Sequence, residues 1–281
     1  MKNLFCIVIP IYKEIPDPIE IISLTRLNKI IGEKNYDVYF ITHEELNIEK
    51  YVELYPCAKT KFFDKSFFES TKSYSYLCLS YELYNTFNEY KKMFIYQTDC
   101  YLIEDKFDTF ANLEYDYIGA PVFSNDCGWP TVTKDENGNS RYFPVIGNGG
   151  FSMRDIETFM IFTDPNGEVK TTTHLTEQLI KEHCLFEDLF ICVDLPKVFD
   201  INIATFPIGL MFAWDMSVDV IYDFLKVKQF PMCIHAWDKN IRFWQKYLPE
   251  LINNEEIINY CEEKHKEFFK LYYNERNETY R

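Results

Sequence analysis

Apolar positions fall into short clusters separated by polar stretches, and the spacing within clusters changes along the chain. Five clusters are rich in β-branched and aromatic residues and predict strands: Leu4 to Ile11, Tyr36 to Thr42, Met93 to Gln97, Tyr115 to Val122 and Met232 to Trp237. Helical patterns lie between the early ones. Residues 18–31 are rich in Ile and Leu; within 72–90, Leu77, Tyr81, Tyr84 and Phe87 recur at spacings of four and three, on one helical face. Strands alternating with helices predict an α/β fold, Rossmann-like, with a mostly parallel central sheet flanked by helices on both faces. Residues 123–143 are polar and predict a long surface loop or a small hairpin turning at Asn137-Gly138; residues 164–173 predict another loop. From about residue 239 the pattern is helical and mixed in charge. We therefore expect one domain over 1–240 and a C-terminal helical cap, 241–281, packed on it.

Length and composition agree with that reading. The 281 residues suit one α/β domain with a helical addition, and 47% apolar residues can bury a sizeable core. No stretch approaches the roughly 18 consecutive apolar residues of a membrane span. The N-terminal run MKNLFCIVIPIYKE soon meets Lys13 and Glu14 and has no small-residue cleavage site, so it predicts a buried strand and a cytoplasmic protein. Contact with the inner face of a membrane is expected to be peripheral at most. Nine cysteines include no C-x-x-C pair, and Cys6, Cys78, Cys192 and Cys233 lie in apolar runs, as reduced structural thiols do. The net charge of −15 argues against a nucleic-acid partner. It also means that any anionic ligand needs local positive field from a metal ion, a helix N-terminus or placed lysines.

Several sites could carry chemistry. Ligands of open α/β sheets bind beyond the carboxyl ends of strands, where the first strand exits through Pro10, Tyr12 and Lys13. Tyr12 could stack on a base and Lys13 could meet a phosphate, or both are ordinary strand-exit residues. The apolar run FIYQTD ends on Thr98 and Asp99; a carboxylate there either holds a hard cation on a diphosphate or caps a turn. In VIGNGGFSMRD, Gly147, Gly149 and Gly150 allow close backbone approach to a ligand. Ser152 and Asp155 read as the S-x-x-D start of a helix, so free N–H groups could face an anion. In FEDLF, Asp188 first and Glu187 second are candidates for a general base, with helix capping as the alternative. His235 ends an apolar strand and either fills the core or joins Asp99 on a metal; imidazole with carboxylate suits manganese better than calcium. Trp237 packs on a sugar face or in the core.

Taken in order, VIPIYKE, KSYSYLCLSYELYNTF, YQTD, YDYIGAP, GNGGFSMR, FED and IHAW resemble the blocks of bacterial and viral GT-A-type glycosyltransferases, in a subgroup with QTD in place of DxD. The resemblance spans residues 4–240 and implies a GT-A fold. It implies that a sugar moves from a nucleotide-diphosphate donor, UDP-hexose favoured, to a hydroxyl of a surface-glycan or other saccharide or glycolipid acceptor, with inversion favoured over retention. It implies Mn2+ or Mg2+ on Asp99 and His235, with Gln97 replacing one carboxylate. Donor contacts would come from Pro10, Tyr12, Lys13, Lys72, Thr98, Asp99, Gly149 and Gly150. Acceptor contacts would come from Trp129, Asn148, Phe151 and Trp237, with Glu187 and Asp188 as the acidic pair. Two other classes compete: a nucleotidyltransferase, disfavoured because IYKEIPDP has no glycine after the first strand, and a non-catalytic carbohydrate-binding protein using the many aromatic residues.

Overall fold

A computed structural model of the chain describes residues 3–122, 132–134, 140–142, 145–166, 186–215, 218, 221–222, 229–248 and 254–266. The strands, in chain order, are β1 (Asn3–Pro10), β2 (Asp37–Thr42), β3 (Lys59–Phe62), β4 (Tyr90–Tyr96), β5 (Tyr101–Leu102), β6 (Tyr117–Ile118) and β7 (Pro121–Val122). They continue with β8 (Val132–Lys134), β9 (Ser140–Tyr142), β10 (Val145–Ile146), β11 (Phe151–Asp155), β12 (Ala213–Trp214) and β13 (Cys233–Ile234). Six form one sheet in the order β3-β2-β1-β4-β11-β6. The first four run parallel, and β11 lies antiparallel to both β4 and β6.

Alternation along the central strands explains why this sheet is covered on both faces. Phe5, Ile7 and Ile9 of β1, Val38 and Phe40 of β2, and Phe94 and Tyr96 of β4 all enter one core cluster. Their neighbours Cys6, Val8, Tyr39, Ile41, Met93 and Ile95 enter the other. The first face is covered by helix α1 (Pro18–Ile31) through Leu24, Leu27 and Ile31. Asp17 opens that helix with a capping box closed by Glu20, and Pro18 occupies its first turn. Helix α3 (Thr71–Cys78), helix α4 (Tyr81–Thr86) and helix α6 (Ile156–Thr163) cover the second face. The short helices α2 (Glu49–Leu54) and α5 (Phe107–Ala111) complete the first half of the chain.

A smaller sheet, β12-β13-β5, lies beyond the carboxyl end of β4. It belongs to a third cluster in which Ile19, Tyr101, Trp214, Ile234 and Trp237 pack with the C-terminal helices Ile241–Tyr247 and Glu255–Lys264. The fold class is therefore as expected: a mixed α/β protein whose central sheet is mostly parallel, with a helical C-terminal cap. Among the described residues no helix is long and apolar enough to cross a membrane.

Four local expectations need correction. The pattern over 72–90 is two helices, not one: Ser80 donates to the Leu77 carbonyl at 2.8 Å and caps the next helix by accepting from the Leu83 N–H at 3.2 Å. The strand that follows starts at Tyr90, three residues earlier than expected. The run from Tyr115 divides at Gly119, because a Cβ there would overlap the Gly147 backbone; β6 joins the main sheet and β7 pairs with β10. Ser152 and Asp155 do not open one helix. Ser152 lies in β11, and Asp155 alone caps α6 by accepting from the Thr158 N–H at 2.9 Å. Within 123–143, β8 and β9 pair as an antiparallel hairpin; Asn137-Gly138 and Trp129 lie outside the described residues, as does most of 164–173.

Candidate active site

Strand order reverses between β1 and β4, since the chain winds outward through β2 and β3 and returns to the other side of β1. A crevice is expected beyond the carboxyl ends of strands at such a switch point. A pocket of about 450 Å³ opens there, within the range of ligand sites. Pro10 at the end of β1 and Tyr12 just beyond it line it, with Gln97, Thr98 and Asp99 just beyond β4, and Ser70, Thr71 and Tyr74 from the start of α3. Tyr12 is 57% exposed, so a face of its ring is open to a stacking partner. Thr98 is committed elsewhere: its hydroxyl donates to the buried Glu20 carboxylate at 2.6 Å. Lys13 is held by Glu20 at 2.9 Å and Asp17 at 3.2 Å. Lys72 is exposed, lies inside α3 rather than before it, and is not part of the pocket wall.

The small sheet gathers three side chains at one end. β12 and β13 run parallel and are followed at once by Asp215 and His235; β5 runs antiparallel and is preceded by Asp99-Cys100. His235 Nε2 therefore lies 3.3 Å from Asp99 Oδ1 and 3.2 Å from Gln97 Oε1, and its Nδ1 lies 3.2 Å from Asp215 Oδ1. Asn148 Nδ2 donates to the other Asp215 oxygen at 2.9 Å. Burial alone would lower the His235 pKa, but Asp99 and Asp215 outweigh it and hold the imidazole well above its ordinary value. Burial would raise the Asp99 carboxyl, yet the His235 charge and hydrogen bond bring it down to about 2. Ala236, next in the chain, has φ 47°, the left-handed region, and turns the chain away from the site after two strand residues of the predicted Met232–Trp237 strand.

These groups fit a divalent cation. Octahedral ligands at roughly 2.1 Å from one ion stand roughly 3 Å apart at right angles, close to the distances of His235 Nε2 from Asp99 Oδ1 and from Gln97 Oε1. A carboxylate on the far imidazole nitrogen fixes the ring as it does behind metal-bound histidines. Only two of the three donors are His or Asp; among the described residues no group of three or more His, Cys, Asp or Glu side chains is placed to hold a metal.

The second half of the site is built on Gly149 and Gly150. The Gly149 N–H donates to Asp188 Oδ2 and the Gly150 N–H to Asn148 Oδ1, each at 2.9 Å, so the N–H groups expected to be free for an anion are both used. A Cβ on Gly150 would overlap the His235 ring, and one on Gly149 would come within 2.6 Å of Glu187 Oε1. The turn thus touches His235 on one side and the acidic pair on the other. Glu187 is fixed: Arg154, with no exposed surface, donates to its Oε1 at 3.0 Å, and Ser75 donates to its Oε2 at 3.2 Å. Arg154 also donates to the Tyr84 hydroxyl at 3.0 Å and to the Cys78 carbonyl at 3.3 Å. Asp188 also accepts from the Leu189 N–H at 2.7 Å. Burial, then the neighbouring Glu187 charge, raise its carboxyl to about 6. The helix here is one turn, Glu187–Leu189, continued by a π-type turn over Phe190–Asp194.

Two expected acceptor contacts move to the core. Phe151 is fully buried among Phe94, Tyr96, Phe107 and Phe212, and Trp237 is 1% exposed against Tyr101. Asn148 serves the site from behind, tying Asp215 to the glycine turn. Asp215, Arg154 and Glu20 are the functional neighbours that sequence reasoning missed. Asp215 had the same signal as Asp99, an apolar run ending on aspartate (LMFAWD), and Glu20 was visible as the acidic end of a D-x-x-E capping box.

The main sheet with an antiparallel strand beside β4, and the strand-end site at its switch point, define a protein with the GT-A glycosyltransferase fold. Mouse xyloside xylosyltransferase 1, apo form, is similar in structure with a TM-score of 0.50 and 13% sequence identity, over 82% of this chain and 97% of that one. The bifunctional glycosyltransferase WbbM, apo, gives 0.47 at 15% identity over 83% of this chain, which spans only 45% of WbbM. Core-mannan synthase A from Aspergillus fumigatus, Mn/GDP form, gives 0.46 at 13% identity over 72% of each chain. Residues 58–235 match a family model, and the chain belongs to that family, described as "Protein of unknown function (DUF5672)". Comparison with curated proteins finds no match.

Proposed function

We propose that the protein is a glycosyltransferase that moves a sugar, a hexose favoured, from a nucleoside diphosphate, UDP favoured, to a hydroxyl of a saccharide or glycolipid acceptor. The observation that carries this reading is the glycine turn, which places the Asp99–His235 pair and the Asp188 carboxylate on opposite sides of two residues without side chains. The pocket beside Tyr12 takes the nucleotide, with the ring stacked on its base. Asp99, His235 and Gln97 would hold a divalent ion, manganese or magnesium, which when bound offsets the charge of the departing diphosphate. Asp188 accepts the proton of the acceptor hydroxyl; a carboxyl raised to about 6 is still ionised at neutral pH yet basic enough for that step. Glu187 stays paired with Arg154 and does not share the role. One base on the face opposite the leaving group favours inversion.

The test is calorimetric binding of UDP, GDP, CDP and ADP with and without manganese, on the wild type and on Asp99→Ala. The expected result is manganese-dependent binding of one nucleotide, weakened in the variant. If the variant binds with the same manganese response, Asp99 does not hold the ion. If no nucleotide binds, the protein is better described as a saccharide-binding one.

A further inference from the structure

The pocket has a charge problem. Its wall carries Asp17, Glu20, Glu69 and Asp99, and the protein as a whole carries −15. A diphosphate would be repelled unless cations stand opposite. Lys13, the lysine that sequence position suggests, is already bound at 2.9 Å to Glu20 and does not line the pocket. Among the residues that do, the cation is Lys264, at the end of the C-terminal helix Glu255–Lys264.

Its setting suits that task. Ile258 and Cys261 of the helix are buried in the third core cluster with Ile19 and Trp237, so the helix end is held against the start of α1. Lys264 is 36% exposed and makes two long ion pairs, 3.2 Å to Asp238 and 3.5 Å to Asp17. The Asp238 contact is a hydrogen bond, and the Asp17 one is longer. Asp238 keeps a nearer partner without it: His265 Nε2 lies 2.6 Å from the same oxygen. The ammonium can therefore turn to a ligand and leave Asp238 paired.

Resting on the reading of this pocket as a nucleotide site, we propose that Lys264 contacts the phosphates of the nucleoside diphosphate, so that the C-terminal helix completes the donor pocket rather than only capping the domain. Lysine suits a flexible point contact to phosphate.

The experiment uses the full chain with manganese and whichever of UDP, GDP, CDP or ADP the wild type binds, measured against the matching nucleoside by competition, for Lys264→Met and Lys264→Arg. A charged contact of this kind contributes enough that Lys264→Met should weaken the diphosphate roughly 10- to 100-fold. Nucleoside affinity should stay within about two-fold of the wild type, and Lys264→Arg should keep most of the diphosphate affinity, because only the charge faces the phosphates. Equal diphosphate affinity in Lys264→Met overturns the assignment and leaves the nucleotide pocket standing. Equal losses for nucleoside and diphosphate also overturn it, since Lys264 would then act by shaping the pocket. A wild type that binds none of the four diphosphates removes the nucleotide reading, and this assignment with it.

Discussion

The six-stranded sheet and the three-stranded sheet solve different problems. The large one has long central strands, buried on both faces, that read in sequence as continuous apolar runs. The small one is made of two-residue strands whose function is to end together, delivering Asp99, Asp215 and His235 to one place. The large sheet fixes the pocket by its topology; the small one gathers charged side chains at its ends. On the proposed reading stability and chemistry fall to different layers, and the glycine turn between them is the joint.

That division can be broken by substitution. The largest effect is expected on the acid side of the turn. Asp188→Asn should lower the rate of sugar transfer roughly 10²- to 10⁴-fold, as loss of a general base does, with nucleotide binding unchanged. A transfer rate near the wild type would remove Asp188 as the base. Next, Arg154→Met should destabilise the fold by about 3–5 kcal/mol in urea denaturation, because it leaves Glu187 buried without its cation. A loss under about 1 kcal/mol would mean that the pair is dispensable, and that the two layers are less separate than drawn.

Asp188 gives a pH signature of its own. Its carboxyl is raised to about 6 in the fold, against about 3.9 in an unfolded chain. The folded state then binds the proton more tightly, so this group favours the fold at low pH. That contribution is lost as pH rises from about 4 through 6, on the order of 3 kcal/mol in all. Asp188→Asn should flatten this fall, while the wild-type transfer rate rises through the same interval as the base ionises. A wild-type stability that climbs between pH 4 and 6 by the amount seen in the variant would contradict the raised carboxyl. The smallest of these effects belongs to the three-stranded sheet. Asp215→Asn should weaken manganese binding roughly 10- to 100-fold, as loss of a carboxylate behind a ligand histidine does. Unchanged manganese affinity would detach Asp215 from the metal role.

Legibility in the sequence follows the same line. Strands β1, β2 and β4 and helix α1 were readable because burial on both faces, or a capped amphipathic pattern, leaves a long local signal. Asp99 and His235 stood out as polar residues ending apolar runs, and the structure brings them together. Their meeting depends on β12, β13 and β5, which are too short for any periodicity; Asp215 ends an apolar run as Asp99 does, but nothing local pairs it with the other two. Phe151 and Trp237 lie in the core, which the sequence could not decide, because an aromatic residue beside a polar motif looks the same whether it faces a ligand or the core. The helix expected directly after Gly150 starts only at Ile156, beyond β11, whose pairing with β4 is set by partners about sixty residues away and overrides the Ser152 end of the local capping pattern.

The glycine turn has a consequence for anyone scanning this gene by saturation mutagenesis. Positions 149 and 150 should both be intolerant, and for unlike reasons. Any side chain at 150 meets the His235 imidazole, which on the proposed reading harms ion loading, whereas one at 149 crowds Glu187 and the Asp188 Cβ beside it, which on that reading displaces the proton acceptor. Adjacent columns of such a map would look identical in a growth assay and separate only when each variant is offered excess manganese, which can refill a weakened ion site but cannot restore a displaced base.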